Sequence, residues 1–165
     1  MKRALLFAVA VLIFSMALSH NAFAQDSTKM AVGLGPEWNM NSHQGYAAGA
    51  GLGFDYNLFR SFAVGLSVIA NSNFTVFTAL ESAALFRWYF LRKDHTGFFA
   101  QADAGVYLYM ENAQTQPVFL GGLRTGFRLP IGQAFYIEPY GRAGYPFAFG
   151  IGLTAGMRFL QDQKQ

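Results

Sequence analysis

The chain contains no cysteine, so it forms no disulfide and offers no thiol for lipid attachment or thiolate metal binding. Charge is scarce as well: Asp, Glu, Lys and Arg make up 13% of 165 residues, where a soluble domain carries nearer a quarter. A water-facing surface of ordinary polarity cannot be assembled from so few charges. Proline is limited to 5 residues, and no stretch of the chain shows the 3.6-residue apolar period of an amphipathic helix. What is abundant is apolar and small: 53% hydrophobic residues, 17% aromatic, 18 Gly and 18 Phe.

Only one long apolar run exists, and it lies at the N-terminus. Lys2 and Arg3 precede Ala4 to Phe14, and Ala22-Phe23-Ala24 supplies small residues at the two positions a signal peptidase reads. The run is shorter than the ~20 residues of a spanning helix and is closed by Ser15, Ser19, His20 and Asn21. Residues 1–24 are therefore expected to be a Sec signal peptide, leaving a mature domain of residues 25–165. Without Lys2 and Arg3, ten basic side chains face nine acidic ones, a balance that gives nucleic acid no electrostatic footing.

The mature chain alternates with period two, the signature of strands. The clearest stretch is Phe147 to Phe159, where Phe147, Phe149, Ile151, Leu153, Ala155, Met157 and Phe159 alternate with small or polar residues. Similar stretches run from Met30 to Met40, Tyr46 to Asn57, Phe62 to Ala70, Phe74 to Phe90, Phe98 to Met110, Pro117 to Leu129 and Ala134 to Tyr145. That predicts eight strands, each long enough to cross a bilayer at a tilt, which takes about 9 to 11 residues. No segment is left over to cover the apolar faces, so they must meet lipid. In lipid an open sheet edge would strand unpaired backbone groups, so the last strand must close on the first. The expected fold is all-β, an eight-stranded antiparallel up-and-down transmembrane barrel. Pro139 forfeits a ladder hydrogen bond or marks a bulge.

With an even strand count and a periplasmic N-terminus, the turns near residues 58, 94 and 131 are periplasmic and those near 43, 72, 114 and 146 face outward. Aromatic residues gather at both strand ends, with Trp38, Tyr46, Phe74, Phe119, Tyr145 and Phe147 in the outer girdle. Inside, Gly-rich strands one, two and eight oppose bulky tyrosines and arginines from strands four to seven. The inward charges balance as Glu37, Asp55, Glu81, Asp103 and Glu138 against Arg87, Arg124, Arg128, Arg142 and Arg158, with Arg124 expected between Asp103 and Glu138. An eight-stranded barrel is only wide enough inside for side chains. The expectation is a lumen plugged by a structural salt-bridge network, with a narrow channel as the rival.

The strand pattern and the terminal Phe159 resemble the eight-stranded OmpA transmembrane-domain and OmpX type of bacterial outer-membrane protein, across the whole mature chain. That resemblance implies a monomer in the outer membrane and recognition of strand 147–159 by the barrel assembly machinery. It also implies contact with outer-membrane lipids and a lipopolysaccharide-type outer leaflet. Some small barrels of this kind are lipid A-modifying enzymes, which combine His with Ser and an acid; here Ser42-His43 with Glu37 is the one candidate. Adjacent residues on a loop do not fix a nucleophile against its base. No catalytic, cofactor or metal site is expected. A lipocalin-like binding barrel would need apolar residues inside and charges outside, the reverse of this chain. An adhesin would rely on longer loops.

Overall fold

The computed structural model describes residues 28–41, 45–59, 61–75, 78–90, 95–111 and 114–160. The expected signal peptide and Ser42-His43 lie outside them. Eight strands close into one antiparallel barrel in sequence order. They are β1 (Thr28–Asn41), β2 (Gly45–Phe59), β3 (Phe62–Ser72), β4 (Thr78–Tyr89), β5 (Gly97–Glu111), β6 (Gln114–Ile131), β7 (Phe135–Tyr145) and β8 (Phe147–Leu160). Closure is by β1 against β8, with Met30 opposite Phe159 and Trp38 opposite Ile151. The end where β1 starts and β8 finishes is called the lower end below.

Alternation sorts the side chains as the sequence dictates. On β1 the odd residues from Ala31 to Asn39 are buried, while Leu34, Trp38 and Met40 are exposed. Leu66 and Leu123, each exposed by more than 60%, show how completely the outer face is apolar. In water such a face would be a severe aggregation liability, far beyond the few hundred Å² of apolar patch a soluble monomer tolerates.

Of the four prolines within strands, Pro36 and Pro139 stand where a ladder is interrupted. Pro36 pairs with Ala50 on β2, but the β1–β8 ladder skips from Leu34↔Ala155 to Glu37↔Gly152. Pro139 pairs with Leu153 on β8, and the β6–β7 ladder skips from Gly126↔Tyr140 to Leu129↔Ile137. The missing N–H thus falls on the broken side in each case.

Two expectations need correction. The fourth strand begins at Thr78, four residues later than alternation suggested, because Ser72 to Thr75 fold as a turn. In it Ser72 Oγ accepts from the Phe74 amide at 3.0 Å and Asn73 Oδ1 from the Thr75 amide at 3.2 Å, with Phe74 at φ 61°. Phe147 points inward, with 4% exposure, instead of joining the outer girdle. The register of β8 slips between Met40↔Phe149 and Asn41↔Phe147, so Ala148 and Phe149 both face outward and the parity of residue 147 reverses.

Candidate functional site

The barrel's ionisable groups point inward because period two places them on the face opposite the leucines. They gather into two clusters at different heights. The lower one joins Asp55 of β2, Arg87 of β4, Arg128 of β6 and Glu138 of β7. Arg128 donates through Nη2 to Asp55 at 2.6 Å and through Nε to Glu138 at 2.6 Å. Arg87 Nη1 reaches the same two carboxylates at 3.2 and 2.9 Å. Two cations and two anions therefore bridge the lumen reciprocally. Their guanidinium planes lie over rings, Arg87 over Phe99 at 4.2 Å and Arg128 over Tyr136 at 4.1 Å. Gln101 accepts from Arg87 Nε at 2.7 Å and donates to Asp103.

The upper cluster is a ring of hydrogen bonds closed by an ion pair. Arg142 Nη2 donates to both oxygens of Glu81, at 2.8 and 2.7 Å, and Nη1 lies 3.3 Å from Glu37. Glu37 accepts from Asn39 at 2.7 Å, Asn39 donates to Asn71 at 3.0 Å, and Asn71 donates to Glu81 at 2.6 Å. Tyr140 Oη donates to Glu37 at 2.7 Å, and Phe147 roofs the ring, its centroid 3.6 Å from the Arg142 guanidinium carbon. Neutral amides on two strands thus share the load of two carboxylates on one cation, a role that sequence patterning did not single out.

Between the clusters, Arg124 lies 3.7 Å from Asp103 and its guanidinium carbon 4.4 Å from the Tyr140 centroid. Glu138, expected beside it, is instead in the lower cluster. The register explains this: Arg124 faces Arg142, so Glu138 lies four residues, about 13 Å, further down β7. Arg158 stands apart from both clusters and donates to the carbonyls of Gly132 and Gln133 at 3.3 and 2.9 Å, pinning the turn between β6 and β7.

The glycine wall receives the rings from the opposite side. A Cβ on Gly152 would fall within the Tyr140 ring, and one on Gly33 or Gly156 would collide with Tyr136. The remaining space includes a cavity of about 30 Å³ lined by Gly51, Gly53, Asp55, Arg124, Arg128 and Tyr136, room for about two water molecules. Among the described residues no three His, Asp or Glu side chains cluster in a way that would hold a metal ion.

At the lower end the residues just before β5 turn inward, His95 and Thr96 both being buried. His95, fully buried at φ 50°, lies with Nε2 2.7 Å from the Phe59 carbonyl oxygen and packs edge-on to Tyr89 with centroids 5.4 Å apart. Burial pushes its imidazole below the ordinary value of 6.5, against the opposite pull of hydrogen bonds to the Phe59 and Phe62 backbone. Below that value the unfolded chain takes up a proton that the folded chain resists, so the unfolded state binds more protons there. Stability is therefore fully present above pH 6.5 and declines as the pH falls through it. His95→Gln should flatten this slope, as read from urea midpoints between about pH 8 and pH 5.

A closed eight-stranded meander, apolar outside and charged within, is the fold of the small outer-membrane β-barrels. Solved structures share it. The N-terminal β-barrel domain of Pseudomonas aeruginosa OprF matches at 13% identity over 81% of this chain and 98% of its own, with a TM-score of 0.54. Neisserial surface protein A matches at 12% identity over 81% of this chain and 96% of its own, TM-score 0.56. Ail, the attachment invasion locus protein of Yersinia pestis, solved with the heparin analogue sucrose octasulfate, matches at 14% identity over 81% and 99%, TM-score 0.52. No family model matches the chain, and no curated protein matches it.

Proposed function

We propose that this chain is an integral outer-membrane protein whose barrel spans the bilayer with a plugged, polar lumen and serves a structural or surface-interaction role without catalysis. In this reading residues 1–24 direct export and are removed, residues 25–165 form the barrel, and β8 is the strand presented to the assembly machinery. The lower end faces the periplasm, and the protein is a monomer. The observation that carries the reading is the inversion of polarity: leucines and aromatics are exposed on the outer face, while Glu37, Asp55, Glu81, Arg87, Arg128, Glu138 and Arg142 are buried inside. Lipid is the solvent that rewards this arrangement, since it solvates the outer face while the closed ladder satisfies the backbone.

A surface role draws support from the likeness to a surface protein and to an attachment invasion locus protein. The plug draws support from the bridging of the lumen by Arg87 and Arg128 and from the small size of the cavity beside them. Purified protein in planar bilayers should accordingly show no steady conductance; large, stable, single-size steps would replace the plug with a channel. N-terminal sequencing of the membrane-extracted protein should begin at Gln25. Retention of Met1 to Ala24 would overturn the export reading.

A further inference from the structure

We propose that the upper end of the barrel is built for a leaflet of uncharged or zwitterionic lipid headgroups and not for phosphorylated glycolipids. This rests on the membrane reading above, and it departs from the lipopolysaccharide-type leaflet that the family resemblance implies. The sequence that joins the strands at their upper ends, residues 41–45, 72–78, 111–114 and 145–147, contains no Lys or Arg. The outward side chains just below them add no cation: Trp38, Met40, Tyr46, Phe119, Tyr145 and Phe149 are all exposed. Trp38 and Tyr46 stack with centroids 4.9 Å apart, forming an amphipathic but uncharged platform at headgroup depth.

The nearest arginines cannot substitute. Arg142 is buried between Glu37 and Glu81 under Phe147, and Arg124 lies deeper still, against Asp103 and Tyr140. Glu111, at the upper end of β5, accepts from Tyr109 Oη at 2.8 Å and brings negative charge to the rim. The remaining basic residues lie toward the other end: Lys29 at the start of β1 and Arg158 near the end of β8, while in the sequence Arg60, Arg92, Lys93 and Lys164 adjoin the strand ends of that side. Anionic headgroups are held by Lys and Arg, each strengthening attachment about fivefold near a charged surface. An upper rim with a carboxylate and without any such residue favours headgroups that carry no net charge.

The test uses the full mature barrel folded into phosphatidylcholine vesicles, with and without added lipopolysaccharide bearing phosphorylated lipid A. It is run near pH 8 in EDTA, so that no divalent cation bridges phosphate to carboxylate. The readout is the thermal unfolding rate from heat-modifiable gel migration. Lipopolysaccharide should leave the wild-type rate unchanged. The double variant Thr78→Lys with Thr115→Lys, whose side chains flank the outward Met110 on neighbouring strands, should unfold more slowly with it, by about fivefold per lysine. That gain should vanish with dephosphorylated lipid A. Ser72→Lys, opposite Thr78, is the alternative site if the double variant does not fold. Slowing of the wild type as large as that of the variant, or no response in any lysine variant, would overturn the proposal. Failure of the wild type to insert into phosphatidylcholine at all would overturn the membrane reading and this inference with it.

Discussion

Replacing Arg128 by Ala should destabilise the barrel by about 3 to 5 kcal/mol, the cost of breaking a buried pair by removing one partner. Arg128 is 1% exposed and holds Asp55 and Glu138 at 2.6 Å each, so its loss leaves two carboxylates on the one remaining cation, Arg87. Arg124→Ala should cost less, because its nearest carboxylate contact is 3.7 Å and Gln101 also serves Asp103. Arg158→Ala, which loses hydrogen bonds to the exposed turn carbonyls of Gly132 and Gln133 and stands outside both clusters, should cost least. Urea titrations of the folded protein in lipid vesicles would rank the three. Equal effects from Arg128 and Arg158 would remove the lower cluster from any account of stability.

Leu153→Arg should cost on the order of 2 to 4 kcal/mol, the depth-dependent penalty for a cation on the lipid face near mid-membrane. Leu153 is exposed and faces Pro139 on β7. Inward neighbours should not all be mild. Gly51→Ser brings a Cβ to 3.1 Å from the flexible Ile69 side chain and needs only a small adjustment, whereas Gly152→Ser runs into the Tyr140 ring, which is itself tied to Glu37. The same folding titrations check this: a Leu153→Arg variant as stable as Gly51→Ser would contradict a lipid-facing outer surface.

The strand count and the facing of most side chains are legible in the sequence because period two is strict wherever glycine or charge alternates with leucine or phenylalanine, as from Ala31 to Met40. Heights across the lumen are not legible. Counting residues from turn to turn put Glu138 level with Arg124, but the stagger between strands is a property of the closed barrel, and Arg124 faces Arg142. Phe147 misled for a different reason, since a single slip of register reverses parity without changing composition. Asn39, Asn71 and Gln101 were invisible as network members because an amide in a strand has no charge to match against a partner. His95 is a turn residue by its place in the sequence, and nothing in the local pattern marks its edge-on packing against Tyr89.

The seam between β1 and β8 has a topological consequence. Every other strand pairing joins neighbours in sequence, so β1 with β8 is the one ladder whose strands are not linked by a connection. Thr28 stands opposite Leu160 at the lower end, so the chain enters and leaves the barrel side by side. The molecule is in effect a ring of hairpins opened at one place. A short flexible linker from residue 160 to residue 28, with the chain reopened at the exposed turn around Gly132, would move the opening to the β6–β7 boundary without altering a single strand pairing. Such a permuted chain should close into the same barrel, with its termini again at the lower end.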